Sequence, residues 1–254
     1  MTWSAKQYSA FENERTRPVR DLVAAIPDHP VHQAVDLGCG PGNSTEILAQ
    51  RYPDAVVTGL DSSQDMLESA RQRLPALSFE LADIGAWQPS GQYDVILANA
   101  SLQWLPDHEV LYPSLVSRLN IGGSLAIQTP DNLDEPAHRL ARAVAGNGPW
   151  ASKVAHIAHN PRHSVERYYD LLKPHCIKVD VWRTTYYHVL EGGAQAVVEW
   201  FKGSALRPFL DPLDETEKQA FLDQYLLAVT DAYPPSADGS VLLPFPRLFI
   251  VASR

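Results

Sequence analysis

Along the first half of the chain, short apolar runs alternate with amphipathic stretches, the pattern of strands and helices taking turns. Val31 to Val35 predicts a first strand, and Ile47 and Leu48 lie on a helix that Asn43 can cap. Val56-Val57-Thr58-Gly59-Leu60 predicts a second strand. Met66, Leu67 and Ala70 share one face of a helix that Ser62 or Ser63 can cap and Leu74-Pro75 stops. Alternation from Leu77 to Leu81 predicts a third strand and Tyr93 to Ala98 a fourth. Asp107 to Leu119 reads as a helix that Pro113 must kink or split, and after Asn120-Ile121-Gly122-Gly123 a fifth strand runs from Ser124 to Gln128. Five strand units with intervening helices predict a doubly wound parallel sheet with right-handed crossovers and a ligand at the C-terminal strand ends.

Beyond Pro130 the alternation stops. Helices are predicted over Glu135 to Ala145, before a Gly146-Asn147-Gly148-Pro149 break, and over Ser164 to Leu172. A long strand follows from Lys178 to Val189, with Arg183, Thr185 and Tyr187 on one face and Trp182, Thr184, Tyr186 and His188 on the other. Helices near Ala194 to Lys202 and Asp214 to Ala232 come before a last strand at Arg247 to Ala252.

The first strand-to-helix turn carries the chemistry. Asp36-Leu37-Gly38-Cys39-Gly40-Pro41-Gly42-Asn43 places glycine at 38, 40 and 42, where positive φ and missing Cβ atoms let a ligand lie against the backbone. The second strand then runs into Asp61, nineteen residues after Gly42, the spacing of one helix plus one strand. A carboxylate there can take both ribose hydroxyls of a nucleotide. The dinucleotide pattern G-x-G-x-x-G needs glycine at 43, where this chain has Asn43, which argues against NAD.

Composition narrows the class. With 254 residues, 45% hydrophobic and 20% charged, the chain is an ordinary globular one, read as a single domain over 1–254. Its net charge of −9 disfavours DNA and RNA as partners. No apolar stretch has the length of a signal peptide or membrane span, so the reading is cytoplasmic, with neither membrane nor nucleic-acid contacts. Two cysteines make no disulfide framework. His156, His159 and His163 have helical spacing, but Pro161 interrupts them and no carboxylate or thiol lies nearby, so they read as solvated histidines and no metal is assigned. There is no G-x-S-x-G elbow and no Walker lysine.

Asp-Leu-Gly-Cys-Gly-Pro-Gly with a downstream Asp resembles the first two motifs of the class I S-adenosylmethionine-dependent methyltransferases. The resemblance implies an α/β fold: a doubly wound, Rossmann-like seven-stranded sheet with an antiparallel C-terminal strand pair and helical lid insertions. In that family the acid after the third strand, here Asp83, contacts the adenine amino group and the next residue, here Ile84, packs on the ring. The end of the fourth strand, here Asn99-Ala100, flanks the methionine portion. The cofactor set expected on S-adenosylmethionine is therefore Asp36, Gly38, Gly40, Gly42, Asp61, Ser62, Met66, Asp83, Ile84, Asn99 and Ala100. Residues 1–30 would form an N-terminal lid and helix, 31–130 the cofactor core, and 131–254 the acceptor-covering helices and last strands.

The acceptor must be read from other residues. Arginines beside prolines, Leu206-Arg207-Pro208 and Pro244-Phe245-Pro246-Arg247, and a strand mixing Arg183 with Tyr186 and Tyr187 suggest a site for a small polycarboxylate. Segments 99–108, 180–188 and 245–252, with Glu14-Arg15-Thr16-Arg17-Pro18, resemble the bacterial trans-aconitate 2-methyltransferases, and that likeness covers nearly the whole chain. It implies esterification of one carboxylate of trans-aconitate, with Tyr8, Arg17, Trp104, Arg183, Tyr186, Tyr187, Arg207 and Arg247 as substrate contacts and no catalytic base. Two alternatives stay open: methylation of another small acid or a phenol or quinone precursor, with His108 or His188 as base, and a non-catalytic cofactor binder. The oligomeric state is not readable from the residues.

Overall fold

A computed structural model of the chain describes residues 12–157 and 162–254, with side chains from residue 16 onward. Tyr8 and His159 lie outside the described residues. Ten α-helices among the described residues are α1 (Glu12–Ala24), α2 (Asn43–Arg51), α3 (Gln64–Arg73), α4 (His108–Ser117), α5 (Pro136–Asn147), α6 (Ala151–Val154), α7 (Val165–Leu172), α8 (Gly193–Lys202), α9 (Arg207–Leu210) and α10 (Glu215–Ala232). Seven strands are β1 (Gln33–Leu37), β2 (Val56–Asp61), β3 (Ser78–Leu81), β4 (Tyr93–Asn99), β5 (Leu119–Pro130), β6 (Lys178–Leu190) and β7 (Val241–Ser253). They form one seven-stranded sheet in the order β3-β2-β1-β4-β5-β7-β6. The first five strands pair in parallel, and β7 pairs antiparallel to β5. The expected α/β class and the helices inserted between the last two strands are both present.

The chain divides into two compact units. The first comprises residues 1–130, 162–184 and 247–254, the second 131–161 and 185–246. In the first unit, alternate residues of the buried strands face opposite sides. Val35, Leu37, Ile96, Ala98, Leu125, Ile127, Leu248 and Ile250 share one hydrophobic cluster with Tyr112 and Leu115 of α4 and with Tyr168 and Leu172 of α7. Asp36, Asn99, Gln128, Arg247 and Phe249 therefore lie on the other face. There α1 packs against α2 and β5.

The second unit is built around α5, α8 and α10. Ala141, Val144, Val197, Phe201, Phe221, Tyr225 and Val229 bury one another with Trp150 and with Val241 and Leu243 of β7. Fully burying a side chain of the Phe or Leu class contributes about 1.5–3 kcal/mol, so this cluster is a core of its own. Two tyrosines pin the start of α5: the Ala137 N–H donates to Tyr233 Oη at 2.9 Å, and Tyr225 Oη donates to the Ala137 carbonyl at 3.1 Å. A capping box between Asp214 and Glu217 opens α10.

Several element boundaries differ from those the pattern predicts. The first strand runs to Leu37, so Asp36 belongs to the strand and the turn begins at Gly38. Gly42, not Asn43, caps α2: at φ 92 it carries the chain from the turn into the helix. Ser63 caps α3 without a side-chain bond. Pro113 does not split α4, which runs from His108 to Ser117 with the proline inside it. The hydrogen bond that its missing N–H forfeits would have gone to the carbonyl of Glu109, an exposed residue in the first turn where water can serve instead. The strand read from Ser124 begins at Leu119, and α5 runs into the expected break as far as Asn147, where an extended Gly148 ends it.

Candidate functional site

At the C-terminal ends of β1, β2 and β4 the chain builds a polar shelf. The turn after β1 holds Gly38, Gly40 and Gly42 at φ 74, 55 and 92, all left-handed. Both Gly38 and Cys39 donate their N–H groups to the Leu60 carbonyl at 2.8 Å, which fastens the turn to the end of β2. A Cβ on Gly38 would lie 2.4 Å from Ser101 Cβ, whereas one on Gly40 would meet nothing within 4 Å. Bare backbone at Gly40 therefore faces open space, the arrangement a nucleotide-bearing ligand needs. Asp61 sits beside it. Its Oδ2 accepts the Gly40 N–H at 2.9 Å and its Oδ1 the Ser63 N–H at 2.9 Å. Each carboxylate oxygen keeps a second lone pair, so these bonds orient the group without exhausting it as an acceptor.

Asp36 does a different job. It is fully buried, and its Oδ2 accepts from Ser44 Oγ and Thr45 Oγ1, both at 2.7 Å, tying the strand to the first turn of α2 across the glycines. What Asp36 contributes to a ligand thus passes through the shape of the turn. Burial raises its pKa from 3.8 to about 6 against the lowering effect of the two hydroxyls. Burial, with Asp36 and Asp61 nearby, also pushes the Cys39 thiol far up, which keeps it protonated.

Asp83 is exposed after β3, with Oδ1 accepting the Gly85 N–H at 2.9 Å, and Ile84 comes within 3.5 Å of where a Gly38 Cβ would stand. Asn99 ends β4, and Ala100 turns the chain at φ 52, a strained value for a residue with a Cβ. The Ala100 N–H is held by the Gln128 carbonyl at 2.8 Å. Asn99 Oδ1 and Ser101 Oγ are buried and meet no partner among the described residues. Met66 is buried in α3, and Ser62 is exposed beside Asp61. The expected cofactor residues of β1, β2 and β4 thus converge on one set of strand ends. Their polar backbone, open glycine and available carboxylate fit an adenosine-bearing cofactor.

The expected acceptor residues are divided between the two units. Arg247 is buried on β7, its Nη1 donating to Gln128 Oε1 at 3.3 Å. Trp104 is 65% exposed on the turn after β4. Arg17 is exposed on α1, and Arg183 is exposed on β6. Arg207 lies in the second unit, exposed, with Nε 3.5 Å from Asp211 Oδ2 one turn along its own helix. Tyr186 is buried and Tyr187 is 62% exposed, on opposite faces of β6, so one face of that strand cannot present both.

Both candidate bases are buried. His108 is buried, its Nε2 2.8 Å from the Leu102 carbonyl and its Nδ1 2.8 Å from Tyr168 Oη. A carbonyl only accepts, so Nε2 carries the proton and the Nδ1 lone pair takes the tyrosine hydroxyl. Burial lowers its pKa and keeps it neutral. His188 is buried between Trp200 and Phe245, ring centroids 4.6 and 5.3 Å away. Among the described residues no group of three His, Cys, Asp or Glu side chains forms a metal cluster, and no helix is long and apolar enough to cross a membrane.

Residues 34–123 match the methyltransferase domain family. The trans-aconitate 2-methyltransferase of Methylobacterium radiotolerans is 53% identical, covering 99% of this chain and 98% of the relative. This chain belongs to the trans-aconitate 2-methyltransferase family. Enzymes of the same name from Rhodopseudomonas palustris and Yersinia pestis are 51% and 53% identical, over 99% and 98% of this chain and 99% and 97% of theirs. Among solved structures, the YcgJ protein of Bacillus subtilis shares the fold at a TM-score of 0.61, with 10% identity over 94% of this chain and 98% of that one.

The sequence reading did not single out Gln128, the buried partner of Arg247 near the end of β5. Its signal was a glutamine closing the apolar run Leu125-Ala126-Ile127, on a strand buried from both sides.

Proposed function

We propose that this chain is an S-adenosylmethionine-dependent methyltransferase that esterifies one carboxylate of trans-aconitate, releasing a monomethyl ester and S-adenosylhomocysteine. The observation that carries the reading is identity of about half over full length with enzymes of that name. When bound, the cofactor supplies an electrophilic sulfonium methyl. The chain's own task is to hold two molecules in line. Asp61 and the glycine turn would take the ribose and backbone-facing side, Asp83 and Ile84 the adenine, and Asn99 and Ala100 the methionine end, while Asp36 acts through the turn.

Arg247 is the acceptor residue best supported: it is buried, oriented by Gln128, and beside a strand end. Arg17, Trp104 and Arg183 of the same unit, with Tyr8, remain the wider set for holding a tricarboxylate. A carboxylate is ionised at neutral pH and needs no base, so positioning should dominate the rate. The commitment of the His108 lone pair to Tyr168 supports that base-free chemistry. A net charge of −9 favours a small anion held by local arginines over a nucleic acid. Two buried free thiols favour a reducing, cytoplasmic compartment.

The test is incubation with labelled S-adenosylmethionine and a panel of di- and tricarboxylic acids, read by mass spectrometry and repeated across pH. The expected result is a monomethyl ester of trans-aconitate, with kcat/KM rising as the acceptor ionises, at roughly pH 3 to 6, and level beyond. A limb near pH 6–7 that disappears in His108→Gln or His188→Gln together with kcat would replace this reading with a base-assisted phenol acceptor.

A further inference from the structure

The buried face of β5 holds an amide that the fold does not explain. Gln128 is fully buried, and its Oε1 accepts from Arg247 Nη1 at 3.3 Å. That bond settles which end of the carboxamide is oxygen, because a guanidinium only donates. Nε2 is the other end. It is buried and meets no acceptor among the described residues, although a buried N–H left without a partner costs folding free energy. In strand register Gln128 lies between Asn99 of β4 and Phe249 of β7, and Arg247 pairs with Pro130 two residues further along β5. Trp182 stacks flat on Phe249, centroids 4.9 Å apart and rings 7° from parallel, adding an apolar wall to the same row.

A donor beside a guanidinium, in a row that also offers a flat apolar surface, suits a planar anion. Glutamine also suits the place: it orients the guanidinium through a neutral oxygen and adds no countercharge, where a glutamate would compete with an anionic ligand for the arginine. We propose that Gln128 is a specificity-determining residue that gives its Nε2–H to the carboxylate group of the acceptor held by Arg247. This rests on the carboxyl-methyltransferase reading and deepens it. The ligand chemistry is a carboxylate oxygen accepting one neutral and one charged donor at once, which a phenol ionised only in part would satisfy poorly.

Gln128→Glu and the neutral Gln128→Met test this together. Glutamate keeps an oxygen for the Arg247 bond but removes the donor and places a negative charge there. The KM for trans-aconitate, and its calorimetric Kd with S-adenosylhomocysteine bound, should rise about thirtyfold or more, with cofactor affinity unchanged. Gln128→Met, which is neutral, should raise KM about tenfold, and it carries the test alone if the glutamate variant does not fold. Parental KM in Gln128→Glu means that the oxygen merely orients Arg247 or that a water satisfies the nitrogen, and either overturns the proposal. So does parental KM in Gln128→Met when that variant stands alone. The substrate reading fails differently: a parent that methylates another carboxylic acid, with the same dependence on Gln128, changes the acceptor and keeps this inference. A parent that binds no acid in the panel ends both.

Discussion

The two units solve the same problem, fastening loops to a core, with different means. In the first, the strand-end turn is held almost wholly by polar bonds to a few fixed atoms: the Leu60 carbonyl takes two N–H groups, Asp61 takes Gly40 and Ser63, and Asp36 takes Ser44 and Thr45. In the second, a broad apolar cluster of three helices does the work, and the two tyrosines on Ala137 are local pins. Polar fastening fixes directions and leaves acceptors and open backbone for a ligand. Apolar fastening fixes volume and leaves little for a ligand to read. A residue's importance for cofactor binding and for stability should therefore separate between the units.

The largest effect is expected at Gly38. Gly38→Ala must accept φ 74 and a Cβ 2.4 Å from Ser101, for about 3 kcal/mol or more in stability and a loss of cofactor binding. Gly40→Ala has room for its Cβ, so only the left-handed strain of about 1 kcal/mol should appear in denaturant unfolding, while calorimetry should still show weakened cofactor affinity. Equal effects at the two positions would remove the distinction between packed and ligand-facing glycine.

Asp36 comes next and is read through pH. Its carboxyl holds a proton more tightly folded than unfolded, so the group's contribution is fully present below about pH 4 and is lost as pH rises through about 6. A pKa raised from 3.8 to about 6 corresponds to roughly 3 kcal/mol. Asp36→Asn should flatten the fall in stability between about pH 4 and 6, measured by chemical denaturation. An unchanged slope would mean that the ionised carboxylate is satisfied in place.

Asp61→Ala should weaken S-adenosylmethionine binding by roughly 1.5–3 kcal/mol without unfolding the protein. Unaltered calorimetric affinity in a folded variant would move the ribose contact elsewhere. The smallest effect belongs to the second unit: Tyr225→Phe removes the hydroxyl donated to Ala137 and should cost about 1 kcal/mol of stability, leaving cofactor affinity as it was. A comparable loss of cofactor affinity would show that the apolar unit also shapes the cofactor site.

The glycine turn and the strand-end acids were legible because their signals are local. Positive φ at three glycines, an acid one helix and one strand later, and an acid after the third strand all follow from spacing within short segments, and each stands at its strand end. The acceptor side was less legible because candidate chemistry was read from residue type. Tyr186 and Tyr187 look alike in the sequence, but strand alternation buries one and exposes the other. Arg207 beside proline looked rigidly presented, yet it lies exposed near Asp211. His108 was a candidate base only in the alternative reading, and its residue type says nothing of the carbonyl and tyrosine hydroxyl that its two nitrogens meet.

By itself the sequence determined the class of fold, the glycine turn and its acid, and the family, since these rest on short-range periodicity and on motifs a few residues long. Tertiary structure alone decided that Arg247 meets Gln128 across 119 residues of chain, because the antiparallel register of β7 on β5 brings them together. It likewise decided that Asp36 faces inward to Ser44 and Thr45, because a strand's pleat assigns each side chain to a face and only the packed sheet says what lies there.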